Sequence, residues 1–320
     1  MTLYPLLLNP ALHVKVWGGR RLDTVMGKSL PTDEPYGESW EMHDTATVAN
    51  GPLAGQTLGE VLAAHGRDLV GPGADPAEGL PLLAKFLDAT DWLSVQLHPN
   101  DEQARELEND PRGKTEAWYV IEAQPGARLV IGLTPGTTPD QMAAAIENNS
   151  LEDLLVYADV VPGDVLFVRA GTIHALGPGL LIYEIQQSSD ITYRLYDWGR
   201  VGLDGKPRDL HIEKGKQVAN LDTLPTIVHT GDKTGQTVDI VRSAYFTTLL
   251  YQLTEPHDAS IELDTGQQQF HILTCIDGTA TVKAGQTRLQ LVKGQTALIP
   301  ARTGTYSLEG PARVLCSYES

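Results

Sequence analysis

The fold is decided by residues 162–174, PGDVLFVRAGTIH, which read as a glycine turn, an apolar strand, a turn of small residues and a returning strand. The same pattern recurs without gaps over residues 293–305, KGQTALIPARTGT. A unit that occurs twice in one chain predicts two similar structural copies. Because Thr305 stands in the second copy where the first has His174, we predict two similar β-barrels, of which only the first can bind a metal ion.

Short strands separated by glycine or charged turns fill most of the chain after Leu82. Their even spacing is typical of a sandwich or barrel and not of a parallel sheet with crossover helices. We therefore predict a mainly β fold with two domains, residues 1–235 and 236–320, and a connector over 196–237. The strands are predicted over 82–87, 93–97, 116–123, 128–133, 245–253, 268–276, 279–284, 287–291 and 296–299.

A few helices accompany these strands. Residues 57–70 are predicted to form a helix because Thr57 and Glu60 have the spacing of a capping box ahead of an apolar periodicity. Further helices are predicted over 138–148 and 151–156. The first fifty residues contain several chain breakers and are predicted to form an irregular N-terminal arm.

The composition indicates a globular protein with no affinity for polyanions. Apolar residues make up 41% of the 320 residues. The chain has 24 Lys and Arg and 41 Asp and Glu, so its net charge is -17. Such a charge repels nucleic acid and anionic lipid. No apolar run reaches the roughly 18 residues of a membrane span, and no signal peptide is recognised. Two cysteines are too few for a secreted disulfide framework, so we expect a cytoplasmic enzyme or binding protein.

Four side chains from three segments have the pattern of a metal site. Gln96 and His98 are two residues apart and leave the same face of a strand, and Glu116 begins the next apolar strand. His174 comes from the repeated unit. If these strands are neighbours in a barrel, the two imidazoles, the carboxylate and the amide converge. Such donors suit a borderline divalent ion such as zinc with one position open.

The motifs around these residues resemble those of type I mannose-6-phosphate isomerases. The resemblance covers roughly residues 5 to 220 in the order of the family, and the tail beyond about 235 resembles only loosely the family's second, metal-free barrel. No room is found for the large helical insertion of longer relatives. The matching segments are WGG at 17–19, GESWE at 37–41, QLHPND at 96–101, KTE at 114–116, AGTIHA at 170–175 and YEIQQSSDITYRLYDW at 183–198.

The resemblance implies two cupin-type (jelly-roll) barrels in a compact family member, one bound zinc ion per chain, and the reversible interconversion of mannose 6-phosphate and fructose 6-phosphate. It implies zinc ligation by Gln96, His98, Glu116 and His174. The remaining implied site residues are the active-site arginine Arg194, the pocket lysines Lys85 and Lys114, the phosphate-side Ser94, and the active-site Glu184.

This chemistry needs a Lewis acid and a base. Moving a proton between C1 and C2 places charge on the carbonyl oxygen, which a divalent ion stabilises. The base can be a zinc-bound hydroxide, Glu184, or a lysine held neutral by nearby positive charge, and the sequence does not choose among them. Arg194 and Lys85 are interpreted as contacts to the phosphate or to the transition state.

Two other functions are consistent with the same residues. One is an iron or manganese cupin dioxygenase, because His-His-Glu sites also serve oxygen chemistry, although a neutral substrate does not require three cations. The other is a non-enzymatic cupin that binds sugar phosphates. For the leading hypothesis, we expect a sugar-phosphate ligand, a monomer or homodimer, and neither nucleic-acid nor membrane partners.

The aromatic and thiol side chains receive structural interpretations. Trp17, Trp40 and Trp118 are interpreted as core aromatics and not as sugar-stacking platforms. Cys275 and Cys316 lie in the second predicted barrel and are interpreted as buried apolar thiols.

Overall fold

The computed structural model describes residues 3–231, 237–253 and 260–320. Within these residues the chain is mainly β, as predicted, and no helix is longer than nine residues. None of these helices has the length and apolar character needed to cross a membrane. The predicted domain boundary between 235 and 236 lies outside the described residues, and the division into two domains stays a prediction.

The first part of the chain, residues 3–231, contains fourteen strands and six α-helices. The strands are β1 Leu6–Asn9, β2 Ala11–Gly19, β3 Tyr36–Met42, β4 Thr47–Val48, β5 Leu82–Ala89, β6 Val95–Leu97, β7 Glu116–Ala123, β8 Arg128–Leu133, β9 Leu155–Asp159, β10 Asp164–Val168, β11 Ala175–Leu176, β12 Leu180–Gln187, β13 Tyr193–Tyr196 and β14 Ile227–His229. The α-helices are α1 Arg21–Thr24, α2 Leu58–His65, α3 Arg67–Val70, α4 Asp101–Glu108, α5 Pro139–Glu147 and α6 Ile212–Val218.

The second part contains only strands and one short 3₁₀ helix among its described residues. The strands are β15 Thr237–Arg242, β16 Phe246–Leu253, β17 Ile261–Asp264, β18 His271–Ala284, β19 Thr287–Val292, β20 Thr296–Ile299, β21 Thr305–Glu309 and β22 Ala312–Glu319. The 3₁₀ helices of the whole described chain are Gly51–Leu53, Pro76–Glu78, Leu151–Leu154 and Ala301–Thr303.

A seven-stranded antiparallel sheet lies in the first part of the chain, with its strands in the order β14-β10-β7-β12-β5-β3-β2. Every residue of its central strands β5 and β12 is buried, which explains their nearly continuous apolar sequences. Lys85 and Glu184 interrupt these apolar runs opposite each other in register. A charged pair in such a wall requires partners, and it marks the face on which a polar site can form.

A separate two-stranded sheet and the segment before β11 carry further residues of the predicted site. Strand β6 pairs with β13, and Gln96 lies opposite Arg194 in that pair. The backbone of Gln96 also exchanges hydrogen bonds of 3.0 and 2.9 Å with that of His174. This bridge joins two segments that are 78 residues apart in the sequence.

Both copies of the repeated unit fold as a glycine turn followed by a strand. The first copy forms β10 and the second forms β20. Gly163 and Gly294 precede these strands with φ of 91° and 83°, a conformation that favours glycine because it has no Cβ. The repetition in the sequence therefore corresponds to a repeated turn and strand in the structure.

Several expectations for the N-terminal half are wrong. The first fifty residues contain β1 to β4 and are not irregular, because the breakers lie between strands whose partners are distant in the sequence. Strand β1 pairs with β20, so the N-terminal segment contributes to the ten-stranded sheet that contains all strands of the second part of the chain. The predicted helix at 57–70 is broken at Gly66, whose φ is 50°.

Other boundaries also differ from the expectations. Residues 151–156 form a 3₁₀ turn that leads into strand β9, not a helix. The strands predicted over 268–276 and 279–284 are one long strand, β18, which bends while remaining paired to different neighbours along its length. The connector contains α6 and the edge strand β14.

The two parts of the chain share a hydrophobic core, and a buried ion pair lies at their contact. Lys28 Nζ lies 2.6 Å from Glu41 Oε2, and both side chains are buried. The Ser39 hydroxyl donates to the other oxygen of Glu41 at 2.6 Å, and the Thr296 hydroxyl, from the second part of the chain, donates to Oε2 at 3.0 Å. Groups from both parts of the chain thus pair with the Glu41 carboxylate, as a buried carboxylate requires.

Helix α4 begins immediately after the segment that contains His98, and a capping box sets its first turn. The Asn100 side chain accepts a hydrogen bond from Gln103 N, and the Gln103 side chain accepts one from Asn100 N, each at 2.9 Å. We expect Asn100→Ala to lower the free energy of unfolding by about 1 kcal/mol, because an orphan helix N–H loses its acceptor. Urea unfolding measures this loss. Glu106→Ala, at an exposed position of the same helix, is the control, and equal effects of the two variants would contradict the capping argument.

Candidate metal centre

Three buried side chains from separate segments meet at one point. His98 follows β6, Glu116 begins β7 and His174 precedes β11, and they are at most 1% exposed. Their ligand atoms all lie within 4.8 Å of one another, and within the described residues this is the group of His, Cys, Asp and Glu that could hold a metal ion. The structure thus brings together three of the four ligands that the resemblance implies.

Backbone contacts orient both imidazoles toward the carboxylate. The Nδ1 atoms of His98 and His174 lie 2.8 Å from Ile191 O and 2.9 Å from Thr172 O, so each Nδ1 carries the proton and donates it to a carbonyl. The two Nε2 atoms then face Glu116 at 3.6 and 3.2 Å. Metal-binding histidines commonly have this second hydrogen bond to a carbonyl.

An orphaned acceptor in this cluster fits a bound cation. Nε2 of His98 is fully buried and makes no hydrogen bond within the described part of the chain. A buried nitrogen lone pair without a donor is costly, and a divalent ion between the imidazoles and Glu116 would satisfy it. The donor set of two nitrogens and a carboxylate suits zinc and similar divalent ions.

The electrostatics hold the cluster in the protonation state that metal binding needs. Burial, with the nearby Lys114 ammonium second, lowers the pKa of His98 well below its usual value, so the ring is neutral. Burial would raise the pKa of Glu116, but the Lys114 ammonium at 2.8 Å holds it well below its usual value. Burial would also lower the pKa of Lys114, but Glu116 raises it. Neutral imidazoles and an ionised carboxylate are the forms that bind metal ions.

Gln96 lies beside this cluster at the edge of a cavity. Its Nε2 atom is 3.5 Å from His174 Nε2, and its Oε1 atom accepts a hydrogen bond from Ser94 Oγ at 3.0 Å. Because the oxygen and nitrogen of an amide exchange places by a rotation of the group, the same position can present Oε1 to the cluster. Ligation by Gln96 therefore stays a prediction, and Ser94 contacts Gln96 directly.

A cavity of about 300 Å³ opens next to the cluster and contains every other predicted site residue. The predicted residues that line it are Lys85, Ser94, Gln96, Lys114, Glu184 and Arg194. A cavity of this volume accommodates a ligand of the size of a sugar phosphate. The catalytic and substrate-binding roles given to these residues stay predictions.

Sequence reasoning missed five polar residues of this cavity: Lys15, Glu38, Asp190, Thr192 and Arg208. Four of them lie within or beside the motifs that carry the resemblance. Arg208 comes from the connector and follows a turn, where nothing in the sequence indicates a site. Its guanidinium becomes part of the cavity only because the connector folds back over β13.

The two cavity arginines have different partners. Asp197 accepts hydrogen bonds from Arg208 Nε at 2.7 Å and from Arg200 Nη2 at 3.0 Å. The Arg194 guanidinium donates from Nη1 to Asp209 O at 2.9 Å, and no carboxylate pairs with it among the residues that the structure describes. Arg194 therefore retains donors that can bind an anion.

Glu184 lines the cavity, and two contacts hold its carboxylate in place. Its Oε2 atom accepts a hydrogen bond from Trp118 Nε1 at 2.8 Å, and its Oε1 atom lies 3.3 Å from Lys85 Nζ. Glu184 and Lys85 are 3% and 4% exposed, so both charges are shielded from bulk solvent. The carboxylate thus has a fixed position outside the metal cluster.

The chain is similar to known proteins along nearly its whole length. Residues 6–137 match the model of the catalytic domain of type I phosphomannose isomerase, and residues 236–319 match that of the mannose-6-phosphate isomerase cupin domain. The chain is 36% identical to the mannose-6-phosphate isomerase ManA of Bacillus subtilis, covering 99% of this chain and 100% of that protein. It is 33% identical to the mannose-6-phosphate isomerase of Streptococcus mutans, covering 99% and 98%.

A solved structure supports the same relationship. The crystal structure of the mannose 6-phosphate isomerase from Bacillus subtilis superposes with a TM-score of 0.88 at 32% identity, covering 98% of this chain and 99% of that one. Family models, whole-length sequence identity and fold therefore agree. The chain belongs to the type I mannose-6-phosphate isomerase family, whose members are aldose–ketose isomerases.

Proposed function

We propose that the protein interconverts mannose 6-phosphate and fructose 6-phosphate with one bound zinc ion. The observation that carries this proposal is the buried cluster of His98, Glu116 and His174 beside a cavity lined by several cations. The cluster suits a Lewis acid and the cations suit a phosphorylated substrate. A single pocket then contains both requirements of the reaction.

The metal would be held by His98, Glu116 and His174, with Gln96 as the predicted fourth ligand. When bound, a zinc ion stabilises negative charge that develops on a carbonyl oxygen. The protein contributes the orientation of these ligands through the carbonyl groups of Ile191 and Thr172. Its buried surroundings strengthen every charge interaction there.

Glu184 is the group we propose to move the proton between C1 and C2. Two other carboxylates line the cavity, but Asp190 is exposed and Glu38 is a weak base. Burial would raise the pKa of Glu38, but Lys85 and Lys15 lower it to about 2. A carboxylate of such low basicity accepts a proton poorly. Glu184 is buried, lies in the cavity and is separate from the metal cluster.

Lys114, Lys85 and Arg194 act as cations in this proposal. Lys114 is ion-paired with Glu116 and can donate a hydrogen bond toward oxygen atoms that gain charge during the reaction. Lys85, Ser94 and Arg194 are assigned to substrate binding. A guanidinium without a carboxylate partner matches a phosphate group in two-point geometry.

The cavity charges contrast with those of the rest of the molecule. The whole chain has a net charge of -17, yet five cations line this cavity: Lys15, Lys85, Lys114, Arg194 and Arg208. Local cations at contact distance outweigh remote carboxylates, which salt screens. A small anionic substrate is therefore favoured in this pocket.

We extend the proposal to the cellular setting. Cys275 and Cys316 are buried and not joined in a disulfide, which is consistent with action in the cytoplasm. Burial raises the pKa of each thiol to about 12, so both are unreactive. We propose a monomer or a homodimer as the working form.

The test is turnover by the zinc-loaded protein. Mannose 6-phosphate is expected to convert to fructose 6-phosphate, followed by nuclear magnetic resonance, with no oxygen consumed at an oxygen electrode. Mannose serves as the matched control, because it lacks the phosphate that the cavity cations would bind. Absence of conversion by fully zinc-loaded protein would contradict the proposal, and oxygen uptake by an iron-loaded sample would favour the dioxygenase.

A further inference from the structure

Four side chains form one row across four neighbouring strands of the seven-stranded sheet. Trp40 of β3 lies opposite Lys85 of β5, which lies opposite Glu184 of β12, which lies opposite Trp118 of β7. The row therefore reads aromatic, cation, anion, aromatic. Directly opposite residues in an antiparallel sheet are close enough for their side chains to interact.

The contacts along this row restrain Glu184 from both sides. The Trp118 indole N–H donates to Oε2 at 2.8 Å, and Lys85 Nζ lies 3.3 Å from Oε1. Lys85 itself lies over the Trp40 ring, 5.1 Å from the ring centroid. Each oxygen of the carboxylate thus has a different partner, so the group cannot rotate without losing one of them.

Trp118 is buried to 2% exposure, which would suit a purely structural side chain. It is, however, two residues from Glu116 on the same strand, so both side chains leave the same face. Its ring also meets the His174 ring edge-on, with centroids 5.3 Å apart. Trp118 therefore contacts the proposed base through its N–H and a candidate metal ligand through its ring.

We infer that Trp118 is a positioning residue for the isomerisation, and that its indole N–H holds Glu184 in the orientation that presents Oε1 to the substrate. The inference rests on the role proposed above for Glu184. The two contacts of Trp118 involve different parts of its side chain: the ring packs against His174, and the N–H donates to Glu184. A variant that keeps a ring and removes the N–H tests the second contact alone.

Trp118→Phe is that variant. Its kcat is expected to fall about 10- to 100-fold, because small displacements of a reacting group cost this much. KM for mannose 6-phosphate and the zinc content per chain are expected to stay close to the wild-type values. Trp198→Phe is the matched control, because it removes an indole N–H that donates to Leu93 O at 2.7 Å and does not contact Glu184.

A double-mutant cycle shows whether Trp118 acts through Glu184. If it does, adding Trp118→Phe to Glu184→Gln produces no further loss of kcat, because the contact that it removes no longer matters for proton transfer. Independent, multiplicative losses would overturn the inference. An unchanged kcat in Trp118→Phe alone would also overturn it.

A second substitution covers the possibility that Trp118→Phe folds poorly or loses zinc. Incorporation of β-(3-benzothienyl)alanine at position 118 keeps the bicyclic ring and replaces only the N–H by sulfur. The same 10- to 100-fold loss is expected, by the same argument about displacement. Wild-type turnover by this variant would overturn the inference.

If wild-type protein lacks isomerase activity, the proposed function fails. If wild-type protein is active and the Trp118 variants have the same kcat, the inference about Trp118 fails and the proposed function stands.

Discussion

His98→Ala is expected to lose the bound metal ion and to lower the turnover of mannose 6-phosphate by about 10³-fold or more. The substitution removes one of three converging ligands and leaves the buried carboxylate of Glu116 with one imidazole and Lys114. Several kcal/mol of transition-state stabilisation depend on the metal, and 1.4 kcal/mol corresponds to about a factor of ten. Metal analysis and steady-state kinetics on the same preparation measure both losses.

Chelation is the companion experiment, because it leaves the sequence unchanged. Dialysis against a chelator is expected to abolish turnover, and added zinc to restore it in the wild type but not in His98→Ala. His65→Ala, in the last turn of α2 and outside the cavity lining, is the matched control and is expected to behave like wild type. Full turnover by protein shown to be free of metal would refute a role for this centre.

Glu184→Gln is expected to lower kcat by about 10²- to 10⁴-fold, the usual contribution of a positioned acid–base group. Glutamine keeps the size of the side chain, and its amide oxygen can still accept the Trp118 N–H, but it cannot take up a proton. The loss should therefore appear in kcat with zinc content unchanged. Exchange of the C1 and C2 hydrogens with deuterated solvent gives a second measure of the same step.

Glu122→Gln provides the control for that variant. Glu122 lies near the far end of β7, outside the cavity lining, so the same chemical change there should leave kcat unaltered. Wild-type kcat in Glu184→Gln would show that another group moves the proton. A cavity lysine and a metal-bound hydroxide, the two other kinds of base that the sequence leaves open, would then be the next groups to test.

Local sequence patterns predict those elements whose determinants are local. The predicted capping pair of Thr57 and Glu60 lies at the start of α2, and α5 falls within the predicted range 138–148. Strands β7, β8 and β20 have the predicted bounds. In these segments, propensity, turn residues and side-chain alternation all favour the same structure, so no distant contact is needed to choose it.

The expectations for the first fifty residues fail because the partners of these residues are distant. Leu6 pairs with Leu298, and β3 pairs with β5 across more than forty residues. Such a strand forms through hydrogen bonds to residues so distant in the sequence that a short window around the strand does not include them. Breakers such as the WGG segment at 17–19 mark strand ends here and do not indicate an irregular arm.

In the candidate site too, local patterns predict some features, and contacts between distant segments determine the others. Alternation along single strands is enough to place Gln96 with His98, and Lys114 with Glu116, on common faces. Arg208 reaches the cavity from a segment without a motif, so its presence there cannot be predicted. The sequence favours a core role for Trp118, because an apolar strand does not reveal that the indole N–H contacts Glu184.

Local patterns are enough to predict the repeated turn and strand, the mainly β character and, through motif resemblance, the family. Tertiary contacts are needed to bring β1 into the ten-stranded sheet, Arg208 to the cavity and an indole N–H to Glu184. The two groups of features differ in the distance along the chain over which their determinants act. Turn chemistry and side-chain alternation act over a few residues, whereas strand pairing and cavity lining depend on contacts between segments that meet only after the chain has folded.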